Sequence, residues 1–319
     1  MFVVTGGAGF IGSNLVRGLN RRGITDVLVV DDLANGEKHP GLNALEFADL
    51  VDFRDYVERP GDFGQTEAVF HQGACSDTME TDERYVMSVN YEFSKRLLDF
   101  CLGRCPFVYA SSASVYGDGK RGFREEPACE WPLNLYAFSK FLFDRWVRRV
   151  LPQASTQVVG LRYFNVYGPQ ENHKGRMASV VFKFHGQARE EGKLLVFEGS
   201  EDFRRDFVWV EDAVDVNLFF LDHPEQSGVF NCGTGRAESF LALAECAARH
   251  YEGAVIETIP FPEALRGKYQ DFTQADLVRL REAGYEREFT SLEDGVAAYV
   301  RVLQETGGYH REPPGSRGS

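Results

Sequence analysis

The chain has 319 residues, 43% of them hydrophobic and 26% charged, with a formal net charge of -13. That length buries a full core and excludes a single small module. The acidic balance works against broad electrostatic binding to nucleic acid or anionic lipid, and no apolar run is long enough to cross a bilayer, so neither partner is expected.

Residues 1–5 form a short apolar run that enters a glycine loop directly, without the charged start and apolar core of a signal peptide. This points to a soluble, cytoplasmic protein. The loop, Gly6-Gly7-Ala8-Gly9-Phe10-Ile11-Gly12, satisfies G-x-G-x-x-G at Gly7, Gly9 and Gly12. Glycines there let a pyrophosphate approach the backbone at the N-terminus of the following helix, expected over Gly12–Arg22, where free N–H groups favour an anion. A second apolar run, Val27–Val30, leads into Asp31-Asp32, nineteen positions after Gly12, where a ribose acceptor belongs. An acid there favours the free 2′-hydroxyl of NAD, whereas Lys38 and Arg54 would suit the 2′-phosphate of NADP, and both cofactors stay open.

Further apolar runs at Ala68–His71, Phe107–Ala110 and Gln157–Leu161 alternate with helical spacing over Arg84–Cys101 and Asn134–Leu151. Strand alternating with helix predicts an α/β fold, a Rossmann-type doubly wound parallel sheet. Ser111-Ser112 follows the fourth run, and Tyr136 and Lys140 lie four apart on the Asn134–Leu151 helix, so they share one face. A phenol beside an ammonium and an oxidised nicotinamide can act as a base, and Ser112 can donate a hydrogen bond to the same substrate oxygen.

We divide the chain into a dinucleotide-binding domain over residues 1–165 and a smaller, mainly substrate-binding lobe over 166–305, with room for segments that return to the large domain. Amphipathic runs at Val210–Leu221 and Ser291–Leu303 belong to the second part, and residues 306–319, rich in Gly, Pro, Ser and Arg, read as a disordered tail. The six cysteines (Cys75, Cys101, Cys105, Cys129, Cys232, Cys246) contain no CxxC pair, and no His/Cys cluster of zinc type accompanies them, so reduced thiols and no metal are expected.

The segments TGGAGFIG, SSASVYG, YAFSK and LRYFNVYGP resemble the extended short-chain dehydrogenase/reductases, which bind NAD(P) and modify nucleotide sugars. Dehydratases of that kind carry an Asp-Glu pair where this chain has Ala113-Ser114, so the resemblance disfavours dehydration. The segments ENHKGRMASV, FEGS, RRDFV, GKYQ and QGACSDT resemble more narrowly the ADP-heptose 6-epimerases, isomerases of lipopolysaccharide core synthesis. That resemblance implies an ADP-heptose substrate, NADP with NAD also accepted, and a homo-oligomer.

The same resemblance places a second acid/base at Lys174, partner to Tyr136. Epimerisation at an exocyclic carbon has a physical need for one: the ketone must turn its other face to a fixed nicotinamide, which moves the oxygen away from a fixed tyrosine. It further implies cofactor contacts from Gln72, Gly73, Ala74, Cys75, Ser76, Asn90 and Val166, with Tyr136, Lys140 and Lys174 also touching the cofactor. Substrate contacts would come from Ser112, Asn165, Arg176, Lys183, Phe197, Glu198, Gly199, Ser200, Arg205 and Tyr269. Position 53 is Phe where relatives carry a lysine for the 2′-phosphate, and Arg176 replaces a small residue seen in some. Two other readings stay open: a nucleotide-hexose 4-epimerase or 4-reductase, and a non-catalytic NADP-sensing protein.

Overall fold

The computed structural model describes residues 1–34, 36–263 and 270–312. Its strands, in chain order, are β1 (Phe2–Thr5), β2 (Val27–Asp31), β3 (Asp49–Asp52), β4 (Ala68–His71), β5 (Phe107–Ser112), β6 (Val158–Tyr163), β7 (Asn165–Tyr167), β8 (Lys193–Phe197), β9 (Arg204–Trp209), β10 (Gly228–Cys232), β11 (Ala237–Ser239) and β12 (Val255–Ile259). The helices are α1 (Phe10–Arg21), α2 (Phe53–Glu58), α3 (Glu83–Met87), α4 (Phe93–Cys101), α5 (Leu135–Val150), α6 (Val180–Glu191), α7 (Val210–Asp222), α8 (Phe240–Ala248), α9 (Val278–Glu282) and α10 (Leu292–Thr306), and a π-turn over Ser88–Glu92 joins α3 to α4.

Seven strands form one sheet in the order β10-β6-β5-β4-β1-β2-β3, with every neighbouring pair parallel. β1, β2, β4 and the first four residues of β6 are largely apolar runs because both of their faces are covered. On one face lies a core that takes Leu15 and Leu19 from α1 and Val214 and Leu218 from α7. On the other lies a core with Leu97 and Leu98 from α4 and Phe143 and Val147 from α5. β1 connects to β2 on one side while β4 lies on its other side, so the crevice for a ligand opens where the loops after β1 and β4 diverge.

A third core holds Val181 and Phe184 of α6, Leu194 of β8, Leu243 of α8 and Tyr299 of α10. Around it lie a three-stranded sheet, β11-β9-β7, and a two-stranded one, β12-β8. β10 leaves this region and returns to the edge of the large sheet beside β6.

The tail expectation needs correction. α10 ends at Thr306 with Gly307 in the left-handed conformation (φ 70°), and residues 307–312 are tied down rather than disordered. Gln170 N donates to Gly308 O (2.8 Å), Asn172 Nδ2 to Gly307 O (2.7 Å) and Arg17 Nη1 to Glu312 O (2.9 Å). The donors lie far away in sequence, so composition could not show them. Residues 313–319 fall outside the described residues.

A buried ionic cluster fastens α5 to the sheet. Asp144 accepts from Arg162 Nε (2.9 Å), Tyr109 OH (2.9 Å) and Ser111 Oγ (3.0 Å), and Arg162 also pairs with Glu130. Arg162, Asp144 and Glu130 have fully buried side chains. Removing one partner of such a cluster leaves an uncompensated charge, so Asp144→Ala is expected to cost about 3–5 kcal/mol. Chemical denaturation should show this as a lower midpoint.

Candidate active site

α1 begins at a glycine cap, Gly9, with no side-chain acceptor and no acid in its first turn. Its leading N–H groups are therefore left for a ligand anion. A Cβ at Gly6 would stand 2.5 Å from Gly73 N, and one at Gly12 would stand 2.0 Å from Gly6 O. The loop after β1 thus packs through glycine backbone against the loop after β4 and against itself, and any side chain at those positions would collide with that backbone. Gly6, Gly9, Phe10, Ile11, Gly12 and Gly73 line a cleft of about 600 Å³. Gly7 packs inward instead: a Cβ there would meet Val4 O at 2.8 Å.

At one end of the cleft Asp31, buried at the end of β2, accepts from Ala8 N (2.8 Å) and from Lys38 Nζ (2.7 Å). Arg54 Nη2 donates to Asp32 (3.0 Å), and its guanidinium lies 4.5 Å from the Phe53 ring centroid. The Arg54 pairing helps to hold the Asp32 carboxyl below its usual range, behind a backbone bond from Ala34. Phe53 therefore supplies a platform for a cation one position later, and two cations stand beside the two acids. Gln72, Ala74, Cys75 and Ser76 line the cleft after β4. Asn90, placed by the π-turn, is fully buried and braces that loop, accepting from Cys75 N (2.8 Å) and donating to Cys75 O (3.0 Å) and Ser139 Oγ (3.0 Å). It shapes the cofactor wall from behind, and the cleft lining does not include it.

Ser112 is the last residue of β5, two positions beyond the predicted strand end, and its hydroxyl accepts from Ser114 N (3.2 Å). Tyr136 and Lys140 line the same cleft from α5, whose N-cap Asn134 accepts from Ala137 N. Burial pushes the Tyr136 phenol up, and a hydrogen bond with Ser112 pulls it partly back. Lys140 Nζ donates to Ala110 O (2.8 Å), and burial brings its ammonium down to about 8. The Lys140 ammonium is turned onto a strand carbonyl, and desolvation is the largest influence on Tyr136.

Lys174 lines the same cleft. Its Nζ lies 3.4 Å from Glu171 Oε2 and 4.7 Å from the centroid of the Phe10 ring. Arg176, on the same short helical loop, pairs with Asp77 of the loop after β4 at 2.5 Å. Both residues line the cleft, and Lys183 Nζ supports the pair by donating to Arg176 O (2.9 Å).

The model of the NAD dependent epimerase/dehydratase family matches residues 2–233. The chain belongs to that family. A relative from Brachyspira hyodysenteriae, named ADP-L-glycero-D-manno-heptose-6-epimerase, is 54% identical over 316 residues, 97% of this chain and 99% of its own. The solved ADP-L-glycero-D-manno-heptose-6-epimerase of Helicobacter pylori has a TM-score of 0.82 at 30% identity, covering 95% of this chain and 96% of that one. The UDP-glucose 4-epimerase of Thermus thermophilus, solved with NAD, has a TM-score of 0.80 at 28% identity, covering 96% and 99%.

Within this epimerase/dehydratase chain the remaining expected residues are distributed unevenly. Val166 lines the cleft, whereas its neighbour Asn165 at the start of β7 is exposed. Arg205 is buried on β9 and donates to Gln270 O, while Gln270 Nε2 reaches Gly117 O, linking β9 to the turn that follows Ser112. Phe197 ends β8 and Glu198, Gly199 and Ser200 form the turn after it, with the Phe197 ring edge-on to Phe261 (centroids 5.6 Å apart) and Gly199 at φ 83°. That turn does not belong to the cleft lining. Tyr269 lies outside the described residues. Asp77, Tyr163, Phe164, His173 and Met177 line the cleft without having been singled out, although each falls inside a motif segment quoted for the family. Burial among Lys38 and Lys174 holds His173 neutral, down to about 4.

Among the described residues no helix is long and apolar enough to cross a membrane.

Proposed function

We propose that the chain interconverts ADP-D-glycero-β-D-manno-heptose and its L-glycero epimer by transient oxidation at C6. The observation that carries this reading is one cleft lined by Ser112, Tyr136, Lys140 and Lys174 together. The names of the Brachyspira and Helicobacter relatives support it. A nicotinamide dinucleotide in the glycine cradle would accept the C6 hydrogen and return it, and its oxidised form adds the positive charge that favours the Tyr136 phenolate.

Tyr136 takes the proton of the C6 hydroxyl, and Ser112 donates a hydrogen bond to the same oxygen. Lys140, anchored on Ala110 O, orients the ribose side of the cofactor. Once the ketone has turned about the bond joining C6 to the ring, its oxygen faces Lys174, which supplies the proton on that side. Tyr136 and Lys174 thus hold the proton at two positions of one oxygen, and neither reaches both. We assign cofactor binding to residues 1–165, with α7 and β10 returning to that body, and substrate binding mainly to 166–305. Arg205 and Tyr269 are assigned to the ADP diphosphate, since a guanidinium suits it through paired donors. The free cysteines fit a reducing, cytoplasmic setting. The exposed apolar side chains Trp131, Leu133 and Phe138 fit a homo-oligomer.

Lys38 and Arg54 beside Asp31 and Asp32 favour NADP over NAD. Arg54→Ala is expected to raise the Kd for NADP by roughly 10-fold or more, the worth of a charge-assisted bond, with NAD changed less than about twofold. Titration of the cofactor's fluorescence measures both.

The reaction itself is tested by NMR of the products from ADP-D-glycero-D-manno-heptose. Appearance of the C6 epimer supports the reading, and a product altered at C4 of a nucleotide-hexose instead would indicate a 4-epimerase.

A further inference from the structure

We propose that Glu171 is the positioning residue through which Lys174 works, an inference that rests on the reading of Lys174 as the second acid/base. The Glu171 side chain is fully buried and receives four donors. Oε2 accepts from Ser179 N (2.7 Å) and faces Lys174 Nζ at 3.4 Å, and Oε1 accepts from Ser179 Oγ (2.5 Å) and Tyr299 OH (2.9 Å).

Three of those donors are neutral and are spread over both oxygens, an arrangement that needs the two acceptors of a carboxylate, since an amide has one oxygen and an NH2 that only donates. A buried carboxylate is costly unless a cation offsets it, and Lys174 is the cation in contact with it. The contact at 3.4 Å is long for a hydrogen bond. The carboxylate therefore keeps the ammonium at the cleft wall, against the Phe10 ring, without locking its protons away from the substrate.

The anchoring reaches well beyond the loop. Ser179 caps α6 and Tyr299 belongs to α10, so Glu171 fixes the segment carrying Lys174 to two helices. The loop itself breaks at Gly175 (φ 51°, ψ -121°) and gives the lysine little support of its own. His173 and Lys183 also sense the charge of Lys174, and Lys183 senses that of Glu171.

The test compares Glu171→Gln, Lys174→Met and the double variant as full-length protein loaded with NADP. Glu171→Gln is expected to lower kcat by about 10- to 100-fold, the scale of a misplaced reacting group, with KM and cofactor affinity within about twofold. The loss should fall on the epimer whose C6 oxygen faces Lys174, with single-turnover reduction of bound cofactor by the other epimer within about twofold. The double variant should be no slower than Lys174→Met, because the two act as one unit.

If Lys174→Met is impaired while Glu171→Gln keeps its rate with both epimers, the positioning role is overturned and Lys174 stands. If Lys174→Met keeps full activity on both epimers, the reading of Lys174 falls and takes this proposal with it. A Glu171→Gln variant that loses thermal stability together with rate, equally with both epimers, or a double variant with additive losses, assigns Glu171 a purely structural role and also overturns the proposal. Should Glu171→Gln fail to fold, Tyr299→Phe serves instead. It removes one donor from the far carboxylate oxygen and loosens the anchor to α10, so the same epimer-selective loss is expected on a smaller scale, and equal rates for the two epimers count against the proposal.

Discussion

Tyr136→Phe is expected to lower the rate of C6 inversion by about 10²–10⁴-fold, the contribution of a placed acid/base, with cofactor binding within about twofold. The phenol is half-buried on α5, shares a hydrogen bond with Ser112, and lines the cleft with Lys140. Removing its oxygen deletes the proton carrier and leaves the ring's packing in place. Because burial alone pushes this phenol up, the wild-type rate should climb with pH until the phenolate forms in the loaded enzyme. That climb should disappear in the residual activity of the phenylalanine variant, as a pH–rate series would show.

Lys174→Met is expected to lower complete inversion by a comparable factor, about 10²-fold or more, and with a different signature. The variant keeps Tyr136, so it should still oxidise the one epimer whose C6 oxygen meets the tyrosine, seen as a single-turnover reduction of bound cofactor. It should fail with the other epimer. Tyr136→Phe should show the opposite preference. Rapid-mixing absorbance with each purified epimer reads both. Methionine matches the length of lysine and can remain packed on Phe10, so a loss of rate would follow the ammonium rather than the fold.

The large sheet was readable because its strands are buried on both faces, so β1, β2, β4, β5 and β6 stand out as apolar runs. β3 (Asp49–Asp52) escaped because it is an edge strand with an acid at either end, paired only with β2. β10 escaped because five residues bounded by a glycine carry no periodicity, and its place beside β6 is set by a return of the chain. The cofactor cradle was readable from glycines whose Cβ atoms would collide. Ser112, Tyr136 and Lys140 were readable as a chain-order set, and the structure brings them to one cleft wall. Asn90 and Glu171 carried no chemical signal of their own. One is an amide inside a helix and the other an acid in a polar loop, and each depends on partners 15 to 49 or 3 to 128 positions away.

The central claim is that one oxygen is served by two proton carriers while the C6 hydrogen leaves and returns within the site. Turnover of ADP-D-glycero-D-manno-heptose in deuterium oxide, followed by NMR, tests it most directly. The account predicts the C6 epimer with protium retained at C6 and no net consumption of NADP. Deuterium at C6, stoichiometric loss of cofactor, or no inversion with either NADP or NAD would contradict it.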